Sequence, residues 1–219
     1  MIAPWGWPVL IPVTVILGVA VWVLPPGIAQ ATGAVVAILL GAFCLWFFRH
    51  PQRTPPAGEQ RLVAPADGVI DDLAEADCPE LGGRAMRLGI FLSVFDVHVN
   101  RSPIAGTIVS AVHRPGTFLD ARHRDAGSRN EALTLLIEAD AAVAPGLRLL
   151  VRQIAGLIAR RIICARRPGE RLNRGECYGM IRFGSRTEIW LPLDRPHRIL
   201  VKPGDRVRGG ETVVVELLP

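Results

Sequence analysis

Residues 179–192 read Gly-Met-Ile-Arg-Phe-Gly-Ser-Arg-Thr-Glu-Ile-Trp-Leu-Pro, two strand-like segments that meet at the pair Gly184-Ser185. Similar short β-branched runs, bounded by glycine and proline, recur after residue 61. They include residues 62–64, 68–70, 106–109 and 212–215. This pattern predicts a mainly β (α+β) soluble domain.

Two further segments refine this expectation. Residues 201–211 have a strand, turn, strand pattern of the kind found in the flattened barrels that carry lipoyl or biotin groups. We therefore expect a flattened β-barrel-like core. Residues 153–167 fit either a helix or a pair of strands, and their hydrophobic periodicity does not decide between the two.

Two apolar runs precede the β domain. The first extends from Trp5 to Leu24 and the second from Ile28 to Phe48, and each is about long enough to cross a bilayer as a helix. The breaker Pro25-Pro26-Gly27 lies between them. Residues 1–48 are thus predicted to form a two-helix transmembrane hairpin. A signal peptide is the alternative, but no Lys or Arg precedes the first run, and the second run would remain after cleavage.

The charge distribution predicts which side of the membrane the β domain occupies. The chain of 219 residues carries a formal net charge of +5 although its mean hydropathy is +0.31, because charges and apolar residues occupy different segments. Arg49, Arg53 and Arg61 follow the second run, and no basic residue precedes it. Since basic flanks stay on the cytoplasmic side, we expect the domain at the cytoplasmic face of the cell membrane. This position favours anionic lipid over nucleic acid as the partner.

The domain organisation follows from these segments. Residues 1–48 form the anchoring hairpin, the proline-rich basic residues 49–62 form a linker, and residues 63–219 form the soluble domain. The cysteines show neither CxxC pairs nor the spacing of metal ligands, so we expect reduced thiols and no metal. They are Cys44, Cys78, Cys164 and Cys177.

The run around Gly184-Ser185 resembles the self-processing site of the compact, prokaryotic type of phosphatidylserine decarboxylase. The resemblance extends over nearly all of the soluble domain. It is carried by residues 48–51 with Arg53, residues 64–68, 91–93, 96–101, 115–116 with Phe118, and residues 130–131, 154–156 and 159–162.

The resemblance implies a self-cleaving enzyme. Ser185 would attack the carbonyl of Gly184, whose lack of a side chain lets the peptide bend and be approached closely. Cleavage between 184 and 185 would leave a large and a small subunit and convert Ser185 into a pyruvoyl group, the only cofactor. The substrate implied is phosphatidylserine, which would form a Schiff base with that group and lose carbon dioxide to give phosphatidylethanolamine.

The resemblance also supplies candidates for the base that serine attack requires. Asp67 matches the orienting carboxylate of the family, and His98 matches a histidine that acts as base or proton donor. From the residues alone, Asp67 is a common turn former and His98 a hydrogen-bonded core residue. Relatives of the longer type carry a second histidine where this chain has Arg101, so His98 would serve alone.

The basic residues of the soluble domain allow two interpretations. Arg160, Arg161, Arg166 and Arg167 form either a solvated face or a site for the lipid phosphate and the anionic membrane surface. The sequence does not separate these. It also leaves the oligomeric state open, and a homo-oligomer is compatible with it.

Two other functions compete with this interpretation. A membrane-tethered barrel that binds partners without catalysis would explain the barrel-like turns. Lys202 is the chain's only lysine and precedes a proline, which disfavours a lipoyl-type carrier. A pyruvoyl decarboxylase of a soluble amino acid is the second alternative, but it would have no use for two membrane spans.

Overall fold

The computed structural model describes residues 1–123, 125–157, 161–181 and 184–218. The chain divides into two compact units, Met1–Gln52 and Arg53–Pro219.

The first unit consists of two apolar helices. A short 3-10 helix, Pro4–Gly6, leads into α1 (Trp7–Trp22), and α2 follows as Ile28–Phe47. The helical segments Pro4–Trp22 and Ile28–Phe47 are long and apolar enough to cross a membrane. The expectation of two apolar helices is thus confirmed, and their insertion into a bilayer stays a prediction.

The unit is closed at its ends by main-chain hydrogen bonds. The Ala3 amide donates to the Phe48 carbonyl over 2.8 Å, and the His50 amide donates to the Met1 carbonyl over 2.7 Å. Gly6 packs directly on the Phe48 ring, where a Cβ would lie 2.7 Å from Cγ. These contacts bring both open ends of the hairpin together.

The second unit is mainly β, as the sequence predicts. Its strands are β1 (Arg61–Val63), β2 (Gly68–Cys78), β3 (Gly83–Leu92), β4 (Val99–Arg101), β5 (Gly106–Arg114), β6 (Ala132–Ala139), β7 (Arg148–Ile154), β8 (Ile162–Cys164), β9 (Arg171–Leu172), β10 (Cys177–Ile181), β11 (Ser185–Pro192), β12 (His197–Ile199), β13 (Arg206–Val207) and β14 (Val213–Leu217). A four-residue helix, α3 (Ala126–Arg129), precedes β6.

Within the described residues, these strands form three antiparallel sheets. The largest has the order β13-β2-β3-β11-β7-β6-β5-β9 and curls into a half-barrel. The two smaller sheets have the orders β1-β14-β12 and β4-β10-β8. The expected flattened β-barrel-like core is therefore confirmed in part, as a curled half-barrel sheet.

Strand β11 lies in the middle of the largest sheet and is buried on both faces. Ile189 and Leu191 face the main core, which also holds Leu88, Ile90 and Val151. Trp190 points to the opposite side, into a smaller cluster with Cys78, Ala85 and Leu150. A strand fixed on both faces provides a rigid support for the residue at its start.

The structure decides the segments that the sequence left ambiguous. Strand β7 ends at Ile154 and β8 is Ile162–Cys164, so the described part of residues 153–167 contains strand and no helix, although these two strands lie in different sheets and do not pair with each other. In residues 201–211 only β13 is a strand, and the turn is at Gly204, with φ of 95°. Residues 50–58 lie in neither helix nor strand.

Candidate functional site

Ser185 is the first residue of β11, directly after a change of backbone direction. Gly184 has a φ of 57°, in the left-handed region that glycine adopts without cost. Ser185 then pairs with Leu92 at the end of β3. Its side chain is fully buried, and its Oγ has no hydrogen-bond partner among the described residues. A buried hydroxyl in this state is uncommon, and it identifies this position as the candidate site.

The carbonyl of Gly184 lies against the main chain of Gly156. A Cβ on residue 156 would be 1.8 Å from the Gly184 oxygen and 2.9 Å from its carbon. The preceding residue is held firmly, because the Asn130 side chain donates to the Ala155 carbonyl over 2.8 Å and the Ala155 amide donates to the Glu131 carbonyl over 2.9 Å. The close approach depends on the absence of a side chain at 156.

A buried hydrogen-bond chain connects β4 to the large sheet near Ser185. Asn100 Nδ2 donates to Thr187 Oγ1 over 3.0 Å, and Asn100 Oδ1 accepts from Gln153 Nε2 over 2.8 Å. Thr187 and Gln153 are themselves paired between β11 and β7. Asn100 therefore fixes the position of β4 relative to β11.

His98 directly precedes β4, and it is fully buried. Its Nδ1 is 2.9 Å from the Asp96 carbonyl oxygen. Since a carbonyl can only accept, this hydrogen bond places the proton on Nδ1, and in the neutral ring Nε2 then carries the lone pair. Asp96 is fixed in turn by the Ser93 hydroxyl over 2.6 Å and by Arg206 over 3.2 Å.

His98 and Ser185 are both linked along the chain to one buried hydrogen bond, that between Asn100 and Thr187. Each is two residues from one partner of the Asn100–Thr187 hydrogen bond. Both candidates therefore flank one buried contact inside the domain.

Asp67 precedes β2 at the same end of the sheet. Val69 pairs with Phe91 on β3, next to the residue that pairs with Ser185. The Asp67 carboxylate accepts from Arg53 Nη2 over 2.8 Å and from the Gly209 amide over 2.8 Å. These contacts occupy both oxygens and tie Asp67 to the first residue of the second unit. The action of Asp67 on His98 stays a prediction.

The arginines singled out in the sequence occupy different environments. Arg101, at the second histidine position, is buried and donates to the Gly175 carbonyl over 3.0 Å, and burial lowers its pKa. Arg166 is paired with Glu170 at 3.4 Å and Glu176 at 2.5 Å, which compensates its charge. Arg160 lies outside the described residues, and Arg161 is exposed.

The face of β11 opposite Ser185 carries an ionic network. The Arg186 guanidinium lies 3.0 Å from Asp71, 3.2 Å from Asp72 and 3.1 Å from Glu188. Burial raises the pKa of Asp71, and the positive charge of Arg186 opposes that shift. The network clamps the strand directly after Ser185.

Sequence reasoning missed Asn100, Gly156 and Arg186 as components of the site, although all three lie in segments that carry the family resemblance. Asn100 is two residues after His98, and Arg186 follows Ser185. Their roles depend on contacts between strands that are distant in the chain. A polar residue two positions from a candidate base is the one local signal available.

Comparison with known families assigns a description to most of the chain. The family model for phosphatidylserine decarboxylase matches residues 40–215. The match includes every candidate residue discussed above.

Curated relatives are similar over most of their length. A phosphatidylserine decarboxylase proenzyme from Pelobacter propionicus is 49% identical over 82% of this chain and 79% of its own. A proenzyme of the same description from Symbiobacterium thermophilum is 45% identical over 99% of this chain and 96% of its own. One from Trichlorobacter lovleyi is 47% identical, with coverages of 89% and 86%.

Proposed function

The chain belongs to the phosphatidylserine decarboxylase family, and we propose that it converts phosphatidylserine to phosphatidylethanolamine after cutting itself between Gly184 and Ser185. The observation that carries the proposal is the buried Ser185 hydroxyl, which has no hydrogen-bond partner among the described residues. It follows Gly184, whose φ lies in the left-handed region. Such a hydroxyl can attack the preceding carbonyl once a base removes its proton.

The first step replaces the amide bond between Gly184 and Ser185 with an ester bond. Ser185 Oγ attacks the Gly184 carbonyl carbon while its proton passes to His98 Nε2, with Asp67 as the supporting carboxylate. The C–N bond then breaks, the departing nitrogen takes up the proton, and the Gly184 acyl group remains on Oγ as an ester. The hydrogen bond from His98 Nδ1 to the Asp96 carbonyl supports this role, because it places the proton of the neutral ring on Nδ1 and makes Nε2 the basic nitrogen.

The second step forms the prosthetic group. Removal of the Ser185 α-proton expels the Gly184 carboxylate and leaves dehydroalanine, which takes up water to give a pyruvoyl group and ammonia. The residues fit this group, because Ser185 is buried and becomes the first residue of the small subunit. When formed, the pyruvoyl group supplies an electron sink for decarboxylation of an α-amino acid.

The lipid substrate would reach Ser185 from the end of the sheet where β3 and β7 terminate. Phe95 follows β3 by three residues and Leu157 follows β7 by three, one on each side of β11. They are 65% and 62% exposed. Apolar side chains beside the route to a buried site suit insertion between lipid head groups.

We further propose that residues 1–48 form a transmembrane hairpin in the cell membrane, that residues 49–62 are the linker, and that residues 63–219 act at the cytoplasmic face. The length and apolar character of α1 and α2 support the hairpin. The basic residues after α2 support the orientation and favour an anionic membrane surface.

A denaturing gel and the intact masses of its bands test this function. The purified protein should contain a fragment that starts at residue 185 with a pyruvoyl terminus, and it should release carbon dioxide from phosphatidylserine vesicles. Ser185→Ala should remain one chain without activity. An intact chain without decarboxylation would favour the binding module, and a cleaved chain that acts only on soluble amino acids would favour the second alternative.

A further inference from the structure

The carbonyl oxygen of Gly184, at the proposed cleavage site, occupies the position that a side chain at residue 156 would need. We infer that Gly156 is a positioning residue for self-cleavage: its missing side chain leaves the space that the Gly184 carbonyl oxygen occupies, so that this carbonyl can present its carbon to Ser185 Oγ. This inference rests on the proposed self-cleavage. It concerns the first step, before any pyruvoyl group exists.

Neither side of this contact can yield easily. Gly156 follows Ala155, whose carbonyl and amide are both hydrogen-bonded, to Asn130 and Glu131. On the other side of the space, the Ala121 Cβ is 3.4 Å from where the new methyl would be. The Gly184 carbonyl would therefore have to move.

The distance that the Gly184 carbonyl must move determines how much cleavage slows. A Cβ 1.8 Å from the oxygen must be relieved by a shift on the order of 1 Å, because Cβ atoms do not approach other heavy atoms within 3 Å. A displacement of about 1 Å at reacting atoms can cost roughly 100-fold in rate. Gly156→Ala should therefore slow formation of the ester while the remainder of the domain keeps its packing.

A second glycine provides a matched control. Gly106, at the start of β5, also lies against a main-chain carbonyl, and a Cβ there would be 2.3 Å from the Glu138 oxygen. Strands β7 and β6 separate β5 from β11 in the large sheet. Gly106→Ala imposes a comparable main-chain clash away from the scissile bond.

The test uses full-length protein and follows cleavage on denaturing gels, with and without hydroxylamine. Hydroxylamine attacks an ester at the acyl carbon, which releases Ser185 Oγ and leaves a hydroxamate on Gly184. We expect Gly156→Ala to be cut about 100-fold more slowly than the unmodified chain, without rescue by hydroxylamine. Gly106→Ala should be cut at close to the normal rate. Both substitutions should melt cooperatively in the uncut Ser185→Ala background.

Three results would overturn the inference. They are normal cleavage of Gly156→Ala, rapid cleavage of that variant by hydroxylamine, which would mean that the ester still forms, and loss of folding in that variant but not in Gly106→Ala, which would make Gly156 purely structural. Failure of the unmodified chain to cut at 184–185 would instead refute the proposed function.

Discussion

The side-chain amide of Asn100 donates a 3.0 Å hydrogen bond to the Thr187 hydroxyl, between residues that are 87 positions apart in the chain. Through this contact the segment that carries His98 is joined to the strand that begins with Ser185. Asn100 is fully buried and accepts a second hydrogen bond from Gln153. The contact therefore supports both the fold and the geometry of the candidate site.

Asn100→Leu should destabilise the domain and slow self-cleavage. The change leaves buried groups of Thr187 and Gln153 without partners, at a cost of about 1–3 kcal/mol for each unsatisfied group. Denaturant unfolding in the Ser185→Ala background measures the first effect, and gel time courses measure the second. In a double-mutant cycle, adding Thr187→Val should cost less than it costs alone. Additive costs and normal cleavage would show that the contact does not couple the two segments.

His98→Ala should slow cleavage strongly, and added imidazole should restore part of the rate by supplying the missing base. His197 offers a matched control, because its Nδ1 also bonds the main-chain carbonyl two residues earlier, that of Arg195, at 2.7 Å. His197→Ala should cleave normally and show no response to imidazole. Equal rates for the two variants would return His98 to a structural role.

The side chains of Asp67 and Arg53 form an ion pair and are 15% and 8% exposed. Because Arg53 belongs to this pair and has no proposed catalytic role, comparing variants of the two residues separates the structural role of Asp67 from a catalytic one. Removing one partner of a buried pair costs on the order of 3–5 kcal/mol, less here because Glu211 lies 3.7 Å from Arg53. If Asp67 also acts on His98, Asp67→Asn should slow cleavage more than Arg53→Gln does at equal loss of stability. Parallel losses in both variants would assign Asp67 to the ion pair alone.

Deleting residues 1–48 should leave self-cleavage intact while reducing turnover of phosphatidylserine in vesicles. The candidate catalytic residues all lie in the second unit, and the deleted segment contains no ionisable acid or base apart from Cys44 and the amino terminus. The remaining attraction comes from basic residues, so the activity of the truncated protein should fall further as salt screens it. Loss of cleavage in a folded truncation, or full vesicle activity at high salt, would contradict this prediction.

The sequence predicts the parts of this molecule that depend on neighbouring residues. Apolar runs of membrane-spanning length became α1 and α2, and β-branched runs between glycines became strands. The Gly184-Ser185 pair falls at the start of a strand, as its flanks suggest. The Asn100–Thr187 contact and the space at Gly156 depend instead on how strands pack across the domain. The spacing of residues along the chain does not predict these two features, and it does not predict the ion pair between Arg53 and Asp67 either.

The position of the proposed cut has a consequence for how the protein folds and unfolds. The segment from Ser185 onward supplies β11, which lies between β3 and β7, and β14, which lies between β1 and β12. Once the bond before Ser185 is broken, the small subunit would be held only by non-covalent contacts, within sheets that formed while the chain was continuous. Unfolding would then release two separate polypeptides, and recovery would become a bimolecular, concentration-dependent reaction. The mature enzyme would owe its persistence to a slow rate of unfolding, and a denatured sample would not regain activity on dilution even though its uncut Ser185→Ala counterpart refolds.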